Sequence, residues 1–249
     1  MRALAAVVVA SCALTACGGN SASAPSSTGT QSPQPPAYDV AHLGVPKFVN
    51  TIYLDLSQID PATGAPLVNK VSTFRSSVGH DYSDSFETCR SMKHYFVGPN
   101  SATRIYAPVA GTVIRADTSG SESQITIQAD AQPAFWFTIF HPVLVRTFAA
   151  GEHVTDGQYL GTHVSGGEDS DIAVLVNPGQ GSAANGIQGQ LVSYFDTLTD
   201  SAFAPFRLRG LSSPSDVILT RAQRDASPLS CVSGGLFQSS DPLPQFVNF

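Results

Sequence analysis

Charge is scarce in this sequence: Asp, Glu, Lys and Arg make up 13% of its 249 residues, about half the usual share for a soluble domain. Cations are the scarcer sign, with 13 Lys and Arg against 19 Asp and Glu and a net charge of −6. That balance excludes duplex nucleic acid and an anionic membrane surface as electrostatic partners. No lysine follows Lys93. No apolar run is long enough to span a bilayer, so no transmembrane helix is expected. Cysteine is limited to four residues and tryptophan to one. What is plentiful is turn chemistry, 21 Gly and 17 Pro, beside 42% apolar residues. That combination argues for many short strands and against a helical bundle or coiled coil. The apolar content also excludes disorder for most of the chain.

The first residues set the expected cell address. A basic start, Met1-Arg2, leads into small and apolar residues from Ala3 to Leu14, the pattern of a secretory leader rather than a membrane span. It ends Leu14-Thr15-Ala16-Cys17-Gly18-Gly19, which resembles the bacterial lipoprotein signal. The resemblance implies a leader over residues 1–16, lipid on Cys17, and an exported protein anchored to a bacterial membrane in the cell envelope. Residues 17–39 carry almost nothing but Ser, Pro, Gly, Thr, Ala, Gln and Asn up to Tyr38. Such a segment cannot bury enough apolar surface to offset its chain entropy and reads as a tether. With Cys12 in the leader and Cys17 lipidated, Cys89 and Cys231 are left. In an oxidising compartment they make either one disulfide or two buried thiols, the disulfide being the simpler reading. One bridge across most of the folded region favours a single domain over residues 40–249.

That domain is expected to be mostly β: an antiparallel sandwich or partly open barrel, with short helices toward the C-terminus. Expected strands are Thr51–Leu56, Arg104–Pro108, Gly111–Ala116, Gln124–Gln128, Phe135–Phe140, Gln158–Gly161 and Asp171–Val176. Alternation is cleanest in Gln124–Gln128. Thr155-Asp156-Gly157 reads as a hairpin turn. The stretches Val192–Ala204 and Asp216–Arg224 carry mixed spacing and read as short helices.

Chemistry concentrates in five ordered blocks. Ala107-Pro108-Val109-Ala110-Gly111-Thr112-Val113-Ile114 and Gly151-Glu152-His153-Val154-Thr155-Asp156-Gly157-Gln158-Tyr159-Leu160-Gly161 are similar to the paired half-motifs of biotinyl carriers and of LytM-type (M23) zinc peptidases. A carrier needs a lysine on the hairpin between the halves, and none exists here. The peptidase resemblance gains three further blocks. Gly79-His80-Asp81-Tyr82-Ser83-Asp84 fits that family's His-x-x-x-Asp. Phe137-Thr138-Ile139-Phe140-His141-Pro142 resembles its Tyr-x-His-Leu strand. Asp171-Ile172-Ala173-Val174-Leu175-Val176 stands where it has His-Leu-His-Phe-Glu-Val. The resemblance covers about residues 75–177.

It implies that His80 and Asp84 correspond to two zinc ligands and that His141 corresponds to a catalytic histidine. Both histidines of His-x-His are replaced, by Asp171 and Ala173. Catalytic zinc needs three protein ligands and an open position. Ala173 has no ligating atom, and Asp171 stands at the place of a general base, on the same strand face. His94 and His163 are candidate replacement ligands. The plainer readings are a solvated His80–Asp84 pair and core or surface histidines elsewhere. Phe135-Trp136-Phe137 reads as sheet packing or as the wall of a sugar groove.

Three functions follow. The first is a catalytically degenerate LytM-like lipoprotein that binds peptidoglycan or regulates a cell-wall hydrolase; zinc is the one cofactor the resemblance allows. The second is an active zinc endopeptidase with a rearranged ligand set, using His80, Asp84 and Asp171 or His163. The third is a structural envelope lipoprotein. No nucleic acid is expected in any of them.

Overall fold

The computed structural model describes residues 37–118, 120, 123–165, 169–179, 187–232, 234–238 and 240–249. The leader, Cys17 and most of the tether lie outside these. The described residues fall in one compact unit. Among the described residues no helix is long and apolar enough to cross a membrane.

The strands are β1 (Lys70–Ser72), β2 (His94–Val97), β3 (Arg104–Tyr106), β4 (Gly111–Asp117), β5 (Gln124–Ala129), β6 (Phe135–Phe140), β7 (Pro142–Leu144), β8 (His153–Val154), β9 (Tyr159–His163), β10 (Ser170–Val176), β11 (Gln190–Val192) and β12 (Phe246–Asn248). The large sheet runs β12-β1-β2-β10-β6-β5-β4-β8, and a small one runs β3-β9-β7. Every pairing within them is antiparallel. The edge of β10 is shared: β2 pairs its first half at Ser170–Ile172, and β11 its second at Val174–Val176.

Alternation explains the centre of the sheet. Ile125, Ile127 and Ala129 of β5 and Phe135, Phe137 and Ile139 of β6 are buried, while the residues between them are half-buried. The buried face is the core side. There Phe96 packs with Phe195 and Phe206 at ring distances of 6.0 and 6.2 Å. Each fully buried phenylalanine contributes roughly 2–3 kcal/mol of apolar burial. Gly111 and Gly161 permit close backbone approach: a Cβ at either would stand 2.1 Å from a carbonyl oxygen, of Gln128 and Val143 respectively. This is why both half-motifs need glycine.

Four expectations are corrected. Thr51–Leu56 bends at Thr51 and Tyr53 and joins β3 only through the single Leu54–Ile105 bridge and the two backbone hydrogen bonds beside it. The Tyr194 hydroxyl accepts from the Tyr53 N–H at 3.2 Å and donates to the Thr51 carbonyl at 3.3 Å, so a side chain stands where a second strand would pair. Thr155-Asp156-Gly157 makes a turn but no hairpin, because β8 pairs with β4 and β9 with β3 and β7. The strand expected over Arg104–Pro108 ends at Tyr106, ahead of Pro108, which has no N–H for a ladder. The short helices expected toward the C-terminus are present at Tyr194–Thr197, Asp200–Arg207, Arg221–Ala226 and a 3-10 turn at Pro214–Val217, with Val192 in β11. The end of the tether is docked: Tyr38 and Asn177 exchange two hydrogen bonds of 2.8 and 2.7 Å. Tyr38 also stands edge-on to Phe135 at 5.1 Å.

The C-terminal region is integral to the body. β12 pairs β1, and Arg224 donates to both carboxylate oxygens of Asp241 at 3.1 and 2.6 Å, fully buried. Glu87 takes both Arg75 and Arg90. Cys89 and Cys231 are joined as a disulfide.

Candidate functional site

The register of the sheet builds the site. Gln124 faces Phe140 across β5–β6, and Asp171 faces Tyr95 across β10–β2. One step beyond the Ile172–Ile139 pair, Asp171 also comes beside Phe140. Directly opposed residues share a face, so Gln124, Phe140, Asp171 and Tyr95 form a row across four strands. Lys93, two residues before Tyr95, lies on that same face. All five line a pocket of about 340 Å³ with Gly79, His80, Tyr82 and His141.

His141 directly follows Phe140 and in a straight strand would turn to the core side. It instead adopts φ 63°, a left-handed conformation uncommon for residues with a side chain. Its N–H donates to Ser123 O at 2.8 Å, and its carbonyl accepts from the Val164 N–H at 3.0 Å. This kink brings its Nε2 to 3.1 Å from Asp171 Oδ1. The other oxygen, Asp171 Oδ2, is 2.5 Å from Lys93 Nζ. Asp171 is 0% and Lys93 3% exposed. Lys93 Nζ also lies 4.1 Å from the ring centre of Phe140, 4.7 Å from that of Tyr82 and 5.0 Å from that of Tyr95, an aromatic cage.

Burial alone would raise the Asp171 carboxyl, but the Lys93 ammonium and His141 outweigh it and hold it below the usual carboxylate range. Burial likewise disfavours the Lys93 ammonium, yet Asp171 holds its pKa above the ordinary value. The pair is therefore charged. Burial pushes the Tyr82 hydroxyl up to about 12 and also raises that of Tyr95. Both are neutral donors at physiological pH.

Other sequence-selected residues have different surroundings. His80 is exposed at the pocket rim, its Nδ1 3.0 Å from the Asp81 carbonyl and its ring edge-on to Tyr82 at 6.1 Å. Asp84 does not line the pocket. It is buried, and its carboxylate accepts three backbone N–H groups: Phe86 at 2.8 Å, Glu87 at 3.0 Å and Leu191 at 2.6 Å. Burial outweighs these amides and lifts its carboxyl above the usual range. His94 is a core histidine, with Nδ1 2.9 Å from Ser72 O and Nε2 2.7 Å from Ser193 Oγ. His163 is fully buried, its ring centre 6.5 Å from that of His141, and burial lowers its pKa. Trp136 lies on the half-buried face of β6, between the core residues Phe135 and Phe137.

The donor set does not fit zinc. Asp84 is spent on the backbone, Ala173 has no ligating atom, and Asp171 is already neutralised by an ammonium 2.5 Å away. A dication on Asp171 would have to displace Lys93 or share the cage with it. Among the described residues no group of three His, Cys, Asp or Glu side chains is placed to hold a metal ion. Sequence reasoning overlooked Lys93, Tyr82 and Tyr95. The available signal was a lone lysine set among Met92, Tyr95 and Phe96, in a stretch otherwise fit for burial.

No protein-family model matches the chain. No curated protein matches it either. Among solved structures, it is similar to Csd3 of Helicobacter pylori, with TM-score 0.41 and 13% identity over 73% of this chain and 39% of that one. It is similar to the deep-sea M23 metalloprotease pseudoalterin, with TM-score 0.33 and 16% identity over 51% of this chain and 69% of the other. It is similar also to a variant catalytic domain of the prophage-encoded M23 protein EnpA from Enterococcus faecalis, with TM-score 0.34 and 17% identity over 51% and 88%. The solved structures it resembles include M23 proteins. The chain spans about two fifths of the length of the Csd3 chain.

Proposed function

We propose that this chain is an exported lipoprotein of the bacterial cell envelope, held by lipid on Cys17, whose pocket binds peptidoglycan peptide without hydrolysing it. The Lys93–Asp171 pair carries this reading. It puts a fixed, charge-compensated cation at the bottom of a preformed pocket, and it occupies the carboxylate that a metal-bound water would need as partner. A pocket of about 340 Å³ is of ligand-binding size. The resemblance read in the sequence supplies the cell wall as the polymer, and the leader with its Cys17 supplies the address.

Co-sedimentation of the purified chain with insoluble peptidoglycan tests the reading, run beside elemental analysis for zinc and an assay for released muropeptides. The expected result is saturable binding, no stoichiometric zinc and no released peptide. Chelator-sensitive cleavage, with zinc near one per chain and lost in His80→Ala, would replace it with the zinc-endopeptidase reading. No binding at all would leave a structural envelope lipoprotein.

A further inference from the structure

Donors outnumber acceptors around the pocket. Lys93 supplies an ammonium with three protons, of which the Asp171 contact at 2.5 Å takes one, while the cage around the rest is made of ring faces. The Tyr95 hydroxyl is buried beside Ser91 and Lys93 and lines the same pocket. Gln124 adds an amide and His80 an imidazole at the rim. Arg115 is close enough to act electrostatically on Tyr82. Against these stands one carboxylate lining the inner pocket, Asp171, already engaged by Lys93 and His141. Asp169 acts on it from outside that lining, and Asp81 lines the neighbouring outer pocket. The complement of such a lining is an anionic acceptor.

The surroundings give the rest of the ligand. His80 and Tyr82 also line a second, wider pocket of about 560 Å³, walled by Ile187, Val232 and Gly235. The two share an edge, so a chain entering the inner pocket can continue along the outer one. The inner volume suits one or two small residues, and its charged end is at the bottom. We infer that the inner pocket binds the free C-terminal carboxylate of a peptide, with Lys93 and Tyr95 as its donors and the preceding residues lying in the outer groove. This deepens, and rests on, the reading of the chain as a peptidoglycan-peptide binder. It differs from recognition of an internal peptide bond, because the charge selected is the terminal one.

The test pairs N-acetyl-alanylalanine with its C-terminal carboxamide, titrated into the full chain by calorimetry. The acid is expected to bind at least ~10-fold more tightly, the worth of a charge-assisted hydrogen bond. Replacing both members of the buried pair, Lys93→Met with Asp171→Asn, avoids leaving an orphan charge and is expected to abolish that preference. If this double variant fails to fold, the two ligands on the unaltered chain decide alone. Equal affinity for acid and amide, or no binding of the acid, overturns the inference.

Co-sedimentation with native peptidoglycan and with peptidoglycan whose carboxyls are amidated separates the two ideas. Because the chain carries a net charge of −6, non-specific electrostatics would favour the amidated polymer. Loss of binding on amidation therefore supports the carboxylate site. Equal binding to both polymers overturns that site and leaves the peptidoglycan reading standing. Binding to neither, with the acid still preferred, removes the peptidoglycan reading and keeps the carboxylate site.

Discussion

At the scale of single residues, burial and partnership decide which groups are charged, and the histidines illustrate it. His94 is wholly buried, and its Nδ1–H donates to the Ser72 carbonyl while its Nε2 accepts from the Ser193 hydroxyl. That arrangement suits the neutral ring, and burial lowers its pKa to about 4. An unfolded histidine titrates near 6.5. Between these values the unfolded chain binds a proton that the folded chain refuses, so stability falls as pH falls through that window. The contribution is fully present above about pH 6.5 and lost by about pH 4, on the order of 3 kcal/mol. Urea denaturation at pH 7, 5.5 and 4.5 is expected to show that slope, and His94→Gln to flatten it. An unchanged slope in the variant would assign the effect to other groups. The same logic sets how much of the site was readable in the sequence. His141 and Asp171 could be selected from motif order, because their residue types are specific. Lys93 offered only its apolar neighbours as a signal, and it gains its meaning when the sheet places it 2.5 Å from a buried carboxylate.

At the scale of elements, Asp84 shows a carboxylate acting as a fastener. One oxygen takes the Phe86 and Glu87 N–H groups within its own loop, and the other takes Leu191 N–H on β11. It thus ties the loop after His80 to the strand that pairs with the second half of β10. Asp84→Ala would orphan these donors in a buried setting, at a cost of about 3 kcal/mol. Hydrogen exchange is expected to speed at Leu191 and Phe86 while the β5–β6 amides keep their protection. Slowed or unchanged exchange at Leu191 would contradict the fastening role. A local His-x-x-x-Asp spacing cannot distinguish such a fastener from a ligand, since both need a carboxylate at the same place. Strands with clean alternation, β5 above all, were readable because one face meets the core and the other does not. β2 was missed because His94–Val97 is buried in its first three residues, which removes the period-two signal. Thr51–Leu56 misled for the opposite reason: its residues favour a strand, but the Tyr194 side chain takes the Tyr53 N–H and the Thr51 carbonyl, leaving only a single bridge to β3.

At the scale of the molecule, the body is closed by contacts between its early loops and its last residues. Arg75 and Arg90 share Glu87, Arg90 also reaches Asp225, Arg224 holds Asp241, and β12 completes the sheet beside β1. The Cys89–Cys231 disulfide spans 142 residues of sequence. In the chain-entropy model a loop of that length stabilises by about 5 kcal/mol, chiefly by restricting the unfolded chain. Removing it should therefore lower global stability by up to that amount while leaving most of the folded sheet unaltered. Its local effect belongs at the pocket, because Gly235, four residues past Cys231, accepts the Asp81 N–H at 2.6 Å. With the bridge gone, that strap keeps Arg224–Asp241 downstream but loses its covalent hold upstream. Cys89→Ala with Cys231→Ala is expected to shift the urea midpoint downward and to expose the Asp81 amide to exchange before any amide of β5 or β6. If the Asp81 and β5 amides lost protection together, the strap would be no more than part of the global fold. If only Asp81 opened, the disulfide would also set the shape of the outer groove through which a peptide reaches Lys93.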